Sequence, residues 1–136
     1  MNALCRGALT FLGLQAMMMA VAYACSCGLD DYDPLEIMAG SDQVFVGTVV
    51  SGPRVGIFSG CDRVSYRLEV TEAFKGVEVG DTVTLSTARD GASCGIEFGE
   101  GESWLIYSID GRYGLCEPGG PARGAEDELE ILRAGE

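Results

Sequence analysis

The feature that most constrains this chain is a pair of cysteines, Cys25 and Cys27, one residue apart and directly after an apolar run. The run covers residues 7–24 and ends in Ala22-x-Ala24, the small-residue pattern that signal peptidase reads. Cleavage after Ala24 would place both cysteines at the new N-terminus of an exported chain, where thiols are oxidised to disulfides. We therefore expect the first residues of the domain to be tied covalently to its body.

The N-terminal segment is predicted to be a signal peptide, residues 1–24, followed by one domain over residues 25–136. An uncleaved anchor is a second interpretation, because about 18 apolar residues just span a bilayer. A lipid-anchored surface protein, acylated at Cys25, is a third, although bulky Tyr23 makes a poor lipidation signal. Cleavage predicts a secreted, extracellular or periplasmic protein that has no membrane span.

Charge and composition exclude several classes of function. The chain has 9 basic and 21 acidic residues and a net charge of −12, and cleavage would remove one of the basic residues, Arg6. Such acidity disfavours nucleic acid and anionic membrane surfaces as partners. The absence of histidine excludes Ser-His-Asp and Cys-His sites and removes the commonest metal ligand. We therefore predict a protein that is not an enzyme and has no cofactor and no metal ion of its own.

Hydrophobic patterning predicts a mainly β domain. The clearest strand, Val64–Phe74, alternates apolar and polar residues with a period of two. Gly47 predicts a bulge or a bend in the first strand, residues 51–62 predict a loop, and Asp110-Gly111 predicts a type I′ turn. The other predicted strands are Val44–Val50, Thr82–Thr87, Trp104–Tyr107 and Tyr113–Cys116. Short strands at this spacing are typical of a small barrel or sandwich.

Two short helices are predicted on either side of the strands. Asp33 and Pro34 are favourable cap and first-turn residues for a helix over Pro34–Ala39. A C-terminal helix is predicted at about residues 125–133, where acidic residues favour the N-terminal end.

Five cysteines follow the predicted cleavage point, so two disulfides would leave one thiol unpaired. Composition does not choose among the possible pairings. These cysteines are Cys25, Cys27, Cys61, Cys94 and Cys116.

Several segments, taken in order, resemble the tissue inhibitors of metalloproteinases, and the chain is most similar to the short bacterial members of that family. The match covers most of residues 25–116, although the chain lacks the Pro-rich sequence that follows the second cysteine in animal members. The matching segments are "CSC" (Cys25–Cys27), "VFVGTVV" (Val44–Val50), "YRLEVTEAFKG" (Tyr66–Gly76), "SCG" (Ser93–Gly95), "SWLIYS" (Ser103–Ser108) and "GLC" (Gly114–Cys116).

The resemblance implies a netrin-like module, which is a five-stranded OB-fold barrel with short flanking helices. It implies disulfides Cys25–Cys94 and Cys27–Cys116. Cys61 is then unpaired within the chain, either as a free thiol or as a link between two chains. It also implies a zinc metalloprotease as partner. The free amine and carbonyl of Cys25 would chelate the protease zinc, Ser26 would enter the specificity pocket, and Cys27 would help to hold this segment.

A non-inhibitory extracellular interaction or structural module is the main alternative, because it would need the same disulfides and fold does not dictate function. The sequence predicts no particular oligomeric state.

Three other groups of residues have plainer interpretations. An acidic group lacks the spacing of a calcium loop, so a solvated surface is expected; it comprises Asp30, Asp31, Asp33 and Glu36. Trp104 and Tyr107 are expected in the core and on the sheet rather than in a ligand platform. A second acidic group is expected to be a polar loop rather than a catalytic pair; it comprises Glu97, Glu100 and Glu102.

Overall fold

The computed structural model describes residues 25, 27–28, 31–56 and 62–135. Within them the strands are β1 (Gln43–Arg54), β2 (Arg63–Lys75), β3 (Thr82–Ala88), β4 (Ser103–Ser108) and β5 (Gly119–Pro121). The helices are α1 (Pro34–Gly40) and α2 (Glu126–Ala134), and 3₁₀ turns lie at Gly91–Ser93 and Ala122–Gly124. The strands form one antiparallel sheet in the order β3-β2-β1-β4-β5, so the predicted mainly β class is confirmed.

The sheet is not closed into a barrel, because β3 and β5 form its two edges. In the part of the chain that is described, Ser86 of β3 makes an isolated parallel bridge to Arg112, which follows β4. This bridge does not extend into a ladder, so barrel closure stays a prediction.

The central strand β1 carries the predicted bulge. Its register against β2 shifts between Val46 and Gly47. A Cβ at Gly47 would lie 2.8 Å from a ring carbon of Phe45 and 3.1 Å from Cβ of Leu68, so the close approach requires glycine. The predicted loop begins later than expected, because β1 continues to Arg54.

The predicted fifth strand, Tyr113–Cys116, is wrong. Its backbone groups make separate bonds rather than a ladder: the amide of Tyr113 donates to Ser86, that of Leu115 to Cys94, and the amide of Glu117 closes a turn on the carbonyl of Gly114. The strand that pairs with β4 is instead β5, which lies outside all of the predicted strands. Glycine explains this, because a Cβ at Gly119 would overlap the carbonyl oxygen of Leu105 on β4.

The predicted turn at Asp110-Gly111 has the backbone expected of it. Both residues have positive φ, 53° at Asp110 and 66° at Gly111, as type I′ turns require. The flanking residues Ile109 and Arg112 form an antiparallel bridge.

Apolar side chains pack on both faces of the sheet. The inner cluster joins four strands and two loops; its buried members are Phe45, Val49, Val64, Tyr66, Leu68, Val70, Val83, Leu85, Phe98, Ile106 and Tyr113. The helix-side cluster lies under α1 and α2; its buried members are Val44, Val46, Leu105, Tyr107, Ala125, Leu129 and Leu132. The strand β1 therefore contributes to both clusters, with alternate side chains on opposite faces.

Both predicted helices are confirmed. The carboxylate of Asp33 accepts a hydrogen bond from the amide of Leu35 at 2.9 Å and caps α1, and Pro34 begins the helix. The helix α2 has three acidic residues in its first turn and buries Leu129 and Leu132. None of the described helices has both the length and the apolar character needed to cross a membrane.

Candidate functional site

The structure contains two disulfides, Cys25–Cys94 and Cys27–Cys116, which are the pairs that the resemblance implies. Their Cα atoms are 5.7 and 5.1 Å apart, within the usual range for disulfides. The paired residues are 69 and 89 positions apart in sequence. Both bonds therefore join the N-terminal segment to distant parts of the domain.

The loop that carries Cys94 has a specific local structure. Asp90 caps the 3₁₀ turn by accepting a hydrogen bond from the amide of Ser93 at 2.9 Å. Cys94 ends the turn in the left-handed region, with φ 62°. The next residue is Gly95, where a Cβ would overlap the carbonyl oxygen of Ala88. A side chain at this position would push the loop away from β3, so the glycine places Cys94 close to the sheet.

The two disulfide-bonded segments of the body are also hydrogen-bonded to each other. The amide of Leu115, next to Cys116, donates to the carbonyl of Cys94 at 2.9 Å. The amide of Ile96 donates to the hydroxyl of Thr87, a fully buried residue of β3, at 3.0 Å. Cys25 and Cys27 are therefore bonded to two segments that are hydrogen-bonded to each other and to β3. Ile96, in one of these segments, also packs against the inner cluster.

Cys25 lies against the 3₁₀ turn. Its sulfur is 3.8 Å from the carbonyl oxygen of Gly91 and 3.9 Å from that of Ala92. A groove of about 340 Å³ runs beside this turn, between it and the end of β1; Pro53, Val55, Tyr66, Asp90 and Ile96 are among the residues that line it. A partly apolar groove thus lies beside the turn that Cys25 contacts.

A tyrosine–carboxylate network holds the chain that follows Cys27. The hydroxyl of Tyr32 donates to the carboxylate of Glu128 on α2 at 3.0 Å and accepts from the amide of Gly119 on β5 at 3.2 Å. The hydroxyl of Tyr107 on β4 donates to the same carboxylate at 2.6 Å. One carboxylate therefore links the N-terminal segment, the sheet and the C-terminal helix.

The electrostatics of this network favour neutral tyrosines. Burial raises the pKa of Tyr32 above its usual value, and the Glu128 carboxylate raises it further. Burial, followed by the hydrogen bond and the negative charge of Glu128, raises the pKa of Tyr107 well beyond the usual tyrosine range. Both hydroxyls therefore keep their protons and donate hydrogen bonds to the carboxylate across the physiological pH range.

Sequence reasoning did not predict this network. Tyr32 lies in no periodic pattern, and Glu128 belongs to the acidic residues that favour the N-terminal end of the C-terminal helix. The hydrogen bond between Tyr32 and Glu128 joins residues that are 96 positions apart in sequence, and no local signal indicates it.

Two of the predicted site residues, Ser26 and Cys61, lie outside the described residues. Asp30, of the first acidic group, lies outside them as well. Of the rest of that group, Asp33 caps α1. No group of three or more histidine, cysteine or acidic side chains that could hold a metal ion is found among the described residues.

The remaining predicted residues have structural contacts. Tyr107 is buried, with 1% of its surface exposed, and Trp104 packs against the inner cluster, so both interpretations as core and sheet residues are confirmed. The ring of Phe98 meets those of Trp104 and Tyr66 edge to face. The carboxylate of Glu102 accepts hydrogen bonds from the amide of Gly99 and the indole of Trp104, at 3.0 and 3.2 Å. It therefore stabilises its own loop.

A comparison of the chain with protein-family models gave no match, and a comparison with curated proteins gave no significant match. The resemblance described above therefore stays a prediction that depends on the ordered motifs.

Proposed function

We propose that the protein is an exported inhibitor of a zinc metalloendopeptidase and that its mature chain begins at Cys25. The observation that carries this proposal is that Cys25 and Cys27 are disulfide-bonded to two segments that are themselves hydrogen-bonded together. Disulfides are typical of exported proteins, which agrees with the extracellular or periplasmic location proposed here.

The inhibitory group would be the backbone of Cys25. A catalytic zinc keeps one coordination position for water, and an α-amine with its neighbouring carbonyl oxygen can displace that water as a chelate. Ser26, with a short side chain, would then point into the specificity pocket of the protease. Because cleavage after Ala24 is needed to free the amine, the precursor would be inactive.

Rigidity is what would make such a short segment an effective ligand. A flexible terminus loses conformational entropy when it binds, and a segment already held in place loses less. Cys25 and Cys27 are held by their disulfides, and Tyr32 is held by Glu128 and Gly119. These contacts support a terminus that is pre-arranged for binding.

We further propose that the domain is a netrin-like OB-type barrel, residues 25–136, that is only partly closed. Ser86 on β3 supports this, because its amide donates to the carbonyl of Gly111 at 2.8 Å and its carbonyl accepts from the amide of Tyr113 at 3.0 Å. These two bonds lie where β3 would meet the strand that closes such a barrel.

The proposed mechanism predicts a pH dependence. An unperturbed α-amine has a pKa of about 7.7–8.0, and only the neutral amine binds a metal ion. Inhibition should therefore weaken as the pH falls below this range.

The deciding experiment compares three forms of the secreted protein against a panel of zinc metalloendopeptidases. N-terminal sequencing and intact mass first establish that the chain begins at Cys25, without a lipid, and that four cysteines are oxidised. The forms are the mature protein, a variant with one alanine added before Cys25, and a control with one alanine added after Glu136. We expect inhibition by the first and third forms and none by the second, because the extension moves the amine away from the metal.

Two results would contradict the proposal. One is equal inhibition by the N-terminally extended form. The other is no inhibition of any protease by correctly processed and oxidised protein, which would favour the non-inhibitory extracellular module. Acylation of Cys25 would instead identify a lipid-anchored surface protein.

A further inference from the structure

We propose that the outer edge of β3, at Thr82 and Thr84, binds an extended, positively charged peptide segment of a partner protein, which adds a strand to the sheet. This proposal does not depend on the inhibitory function, since the edge is formed by different residues from those that hold Cys25.

The edge is defined by the pairing of β3. On one side β3 pairs with β2, where Val83 lies opposite Leu68. On the other side the amide and carbonyl of Ser86 are bonded to Gly111 and Tyr113. Because alternate residues of a strand direct their backbone groups to opposite sides, Thr82 and Thr84 direct theirs to the same side as Ser86.

The outward backbone groups at the edge of Thr82 and Thr84 are unpaired among the described residues, and Gly111 lies beside them: a Cβ at Gly111 would be 3.6 Å from the carbonyl oxygen of Thr84. Within the described part of the chain, no hydrogen bond to the outward amide or carbonyl groups of these two residues is found. Both residues are exposed, whereas the next residue, Leu85, is fully buried. Unpaired backbone groups along a strand edge are the groups that bind an added strand in β-augmentation.

A groove runs along this part of the edge. Its volume is about 580 Å³, and Gly76 and Gly111 are among the residues that line it together with Thr82–Thr84. Glycine carries no side chain, so Gly76 and Gly111 contribute only backbone atoms to the walls of this groove. An extended peptide is the ligand that suits a strand edge, because it pairs through its own backbone groups.

The strand lacks the features that usually prevent edge pairing. Natural edge strands are often protected by lysine, proline or a bulge. The β3 sequence, TVTLSTA, contains no charged residue and no proline, and its register with β2 is regular from Arg63–Ala88 to Glu69–Thr82. Threonine and valine also have high β propensity. These properties favour strand addition at this edge.

The charge of the groove determines the kind of segment it fits. Asp42 and Asp81 line it, and none of its described lining residues is lysine or arginine. Both carboxylates are held in position: Asp42 accepts from the amide of Asp110 at 2.8 Å, and Asp81 accepts from the amide of Glu78 at 2.9 Å. Each has a second oxygen that can interact with a cationic side chain of the added strand.

The same charges disfavour a second copy of this chain as the occupant. Pairing of two β3 edges would bring two sets of Asp42 and Asp81 together, on chains that each have a net charge of −12. Like charges placed opposite each other across strands are destabilising. The partner segment is therefore expected to be basic.

The test uses protein purified after expression of the full chain and a capped hexapeptide of alternating lysine and threonine. Binding is followed by amide chemical shifts in ¹⁵N-labelled protein. We expect saturable shifts at Thr82 and Thr84 and no comparable shifts with the matched peptide of alternating glutamate and threonine. Added salt should weaken binding because part of the attraction is electrostatic.

Two pairs of variants test the two features of the edge. Thr84→Pro removes an outward amide without removing a bond to β2, and it should weaken peptide binding by about tenfold, whereas Thr84→Val should bind as the wild type does. Asp42→Asn with Asp81→Asn keeps the acceptor oxygens but removes both charges, and it should weaken binding about threefold to tenfold at low salt. Glu126→Gln with Glu130→Gln, on exposed positions of α2, is the matched control and should bind as the wild type does.

Three results would overturn the proposal. The first is that the amide chemical shifts of Thr82 and Thr84 do not change at millimolar peptide. The second is that the acidic peptide binds as well as the basic one. The third is that sedimentation shows self-association of the protein, which Thr84→Pro abolishes. If Thr84→Pro changes amide shifts throughout the sheet, the aspartate variants alone decide the outcome.

Discussion

The segment that carries Cys25 and Cys27 and the face covered by α1 and α2 are attached to the same sheet by different means. The cysteine segment is attached by two disulfides, and the four cysteines are only partly buried. The helix-covered face is attached by close packing, and Leu105 and Leu132 there are fully buried.

The difference follows from what each region has available. Residues 89–93, near Cys25, are all exposed and include no large apolar side chain, so burial can contribute little there. A disulfide needs no buried surface, because it acts mainly by restricting the unfolded chain. The helices have apolar faces that can be buried directly. Disulfides can therefore attach a segment to the sheet where no local hydrophobic core is available.

The largest expected effect is from removing one disulfide. Cys27→Ala with Cys116→Ala opens a link between residues 89 positions apart and should lower the free energy of unfolding by about 4 kcal/mol, an upper value from chain entropy. Urea denaturation, with the slope compared as well as the midpoint, measures the change. A loss below about 1 kcal/mol would show that non-covalent contacts already hold the cysteine segment.

The next effect tests the helix-covered face. Leu132→Ala removes a fully buried side chain and should lower the free energy of unfolding by about 3 kcal/mol. The loss should be the same with and without the Cys27–Cys116 bond, since distant contributions add. Ile131→Ala is the control, because Ile131 is 43% exposed and should change stability by less than about 0.5 kcal/mol. Unequal losses in the two backgrounds would show that the regions are coupled.

A smaller effect tests the contact between the two regions. Glu128→Gln replaces a carboxylate that accepts from Tyr32 and Tyr107 and should lower the free energy of unfolding by about 1–2 kcal/mol. Hydrogen exchange at Gly119, whose amide donates to Tyr32, should become faster. Glu130→Gln on the same helix is the control.

The same variant has a pH signature. Burial and Glu128 raise the pKa of Tyr107, so its contribution to stability is present below the unfolded pKa of about 10 and is lost as the pH rises towards the folded value. Removing the charge of Glu128 should lower that folded pKa. Unchanged alkaline titration of Tyr107 would contradict the assigned network.

The smallest effect is expected at the ion pair between Arg133 of α2 and Glu72 of β2. Its atoms are 2.6 Å apart, but both side chains are solvent-exposed in part, so Glu72→Gln should destabilise the protein less than the disulfide, Leu132 and Glu128 variants do. The hydrogen bond from Arg133 lowers the pKa of Glu72. Its contribution is therefore present above the unfolded pKa and is lost as the pH falls through the folded value. Urea midpoints for wild type and variant should converge in acid, and a constant difference would contradict this.

The elements that were predicted correctly have local causes. The helix α1 has its cap at Asp33 and its first-turn proline in adjacent positions, and β2 has an alternating pattern over most of its length. The bulge at Gly47 and the turn at Asp110-Gly111 were also predicted from residues at the feature itself.

The incorrect and missing predictions concern contacts between distant residues. The strand β5 consists of Gly119, Gly120 and Pro121, which disfavour strands, and it pairs with β4 because glycine permits the approach. The contact of Tyr32 with Glu128 and the edge at Thr82 and Thr84 also depend on which segments become neighbours. Similarly, the cysteine composition left several pairings possible, and only a resemblance to a family indicated the pairs found.

The sequence by itself determined the mainly β class, both helices and the acidity, because each depends on local pattern or on composition. The tertiary structure decided which strand lies at each edge, which carboxylate holds Tyr32, and how the cysteine segment meets the sheet. The physical reason is that hydrogen bonds and packing between residues tens of positions apart depend on chain geometry, which no short stretch of sequence encodes.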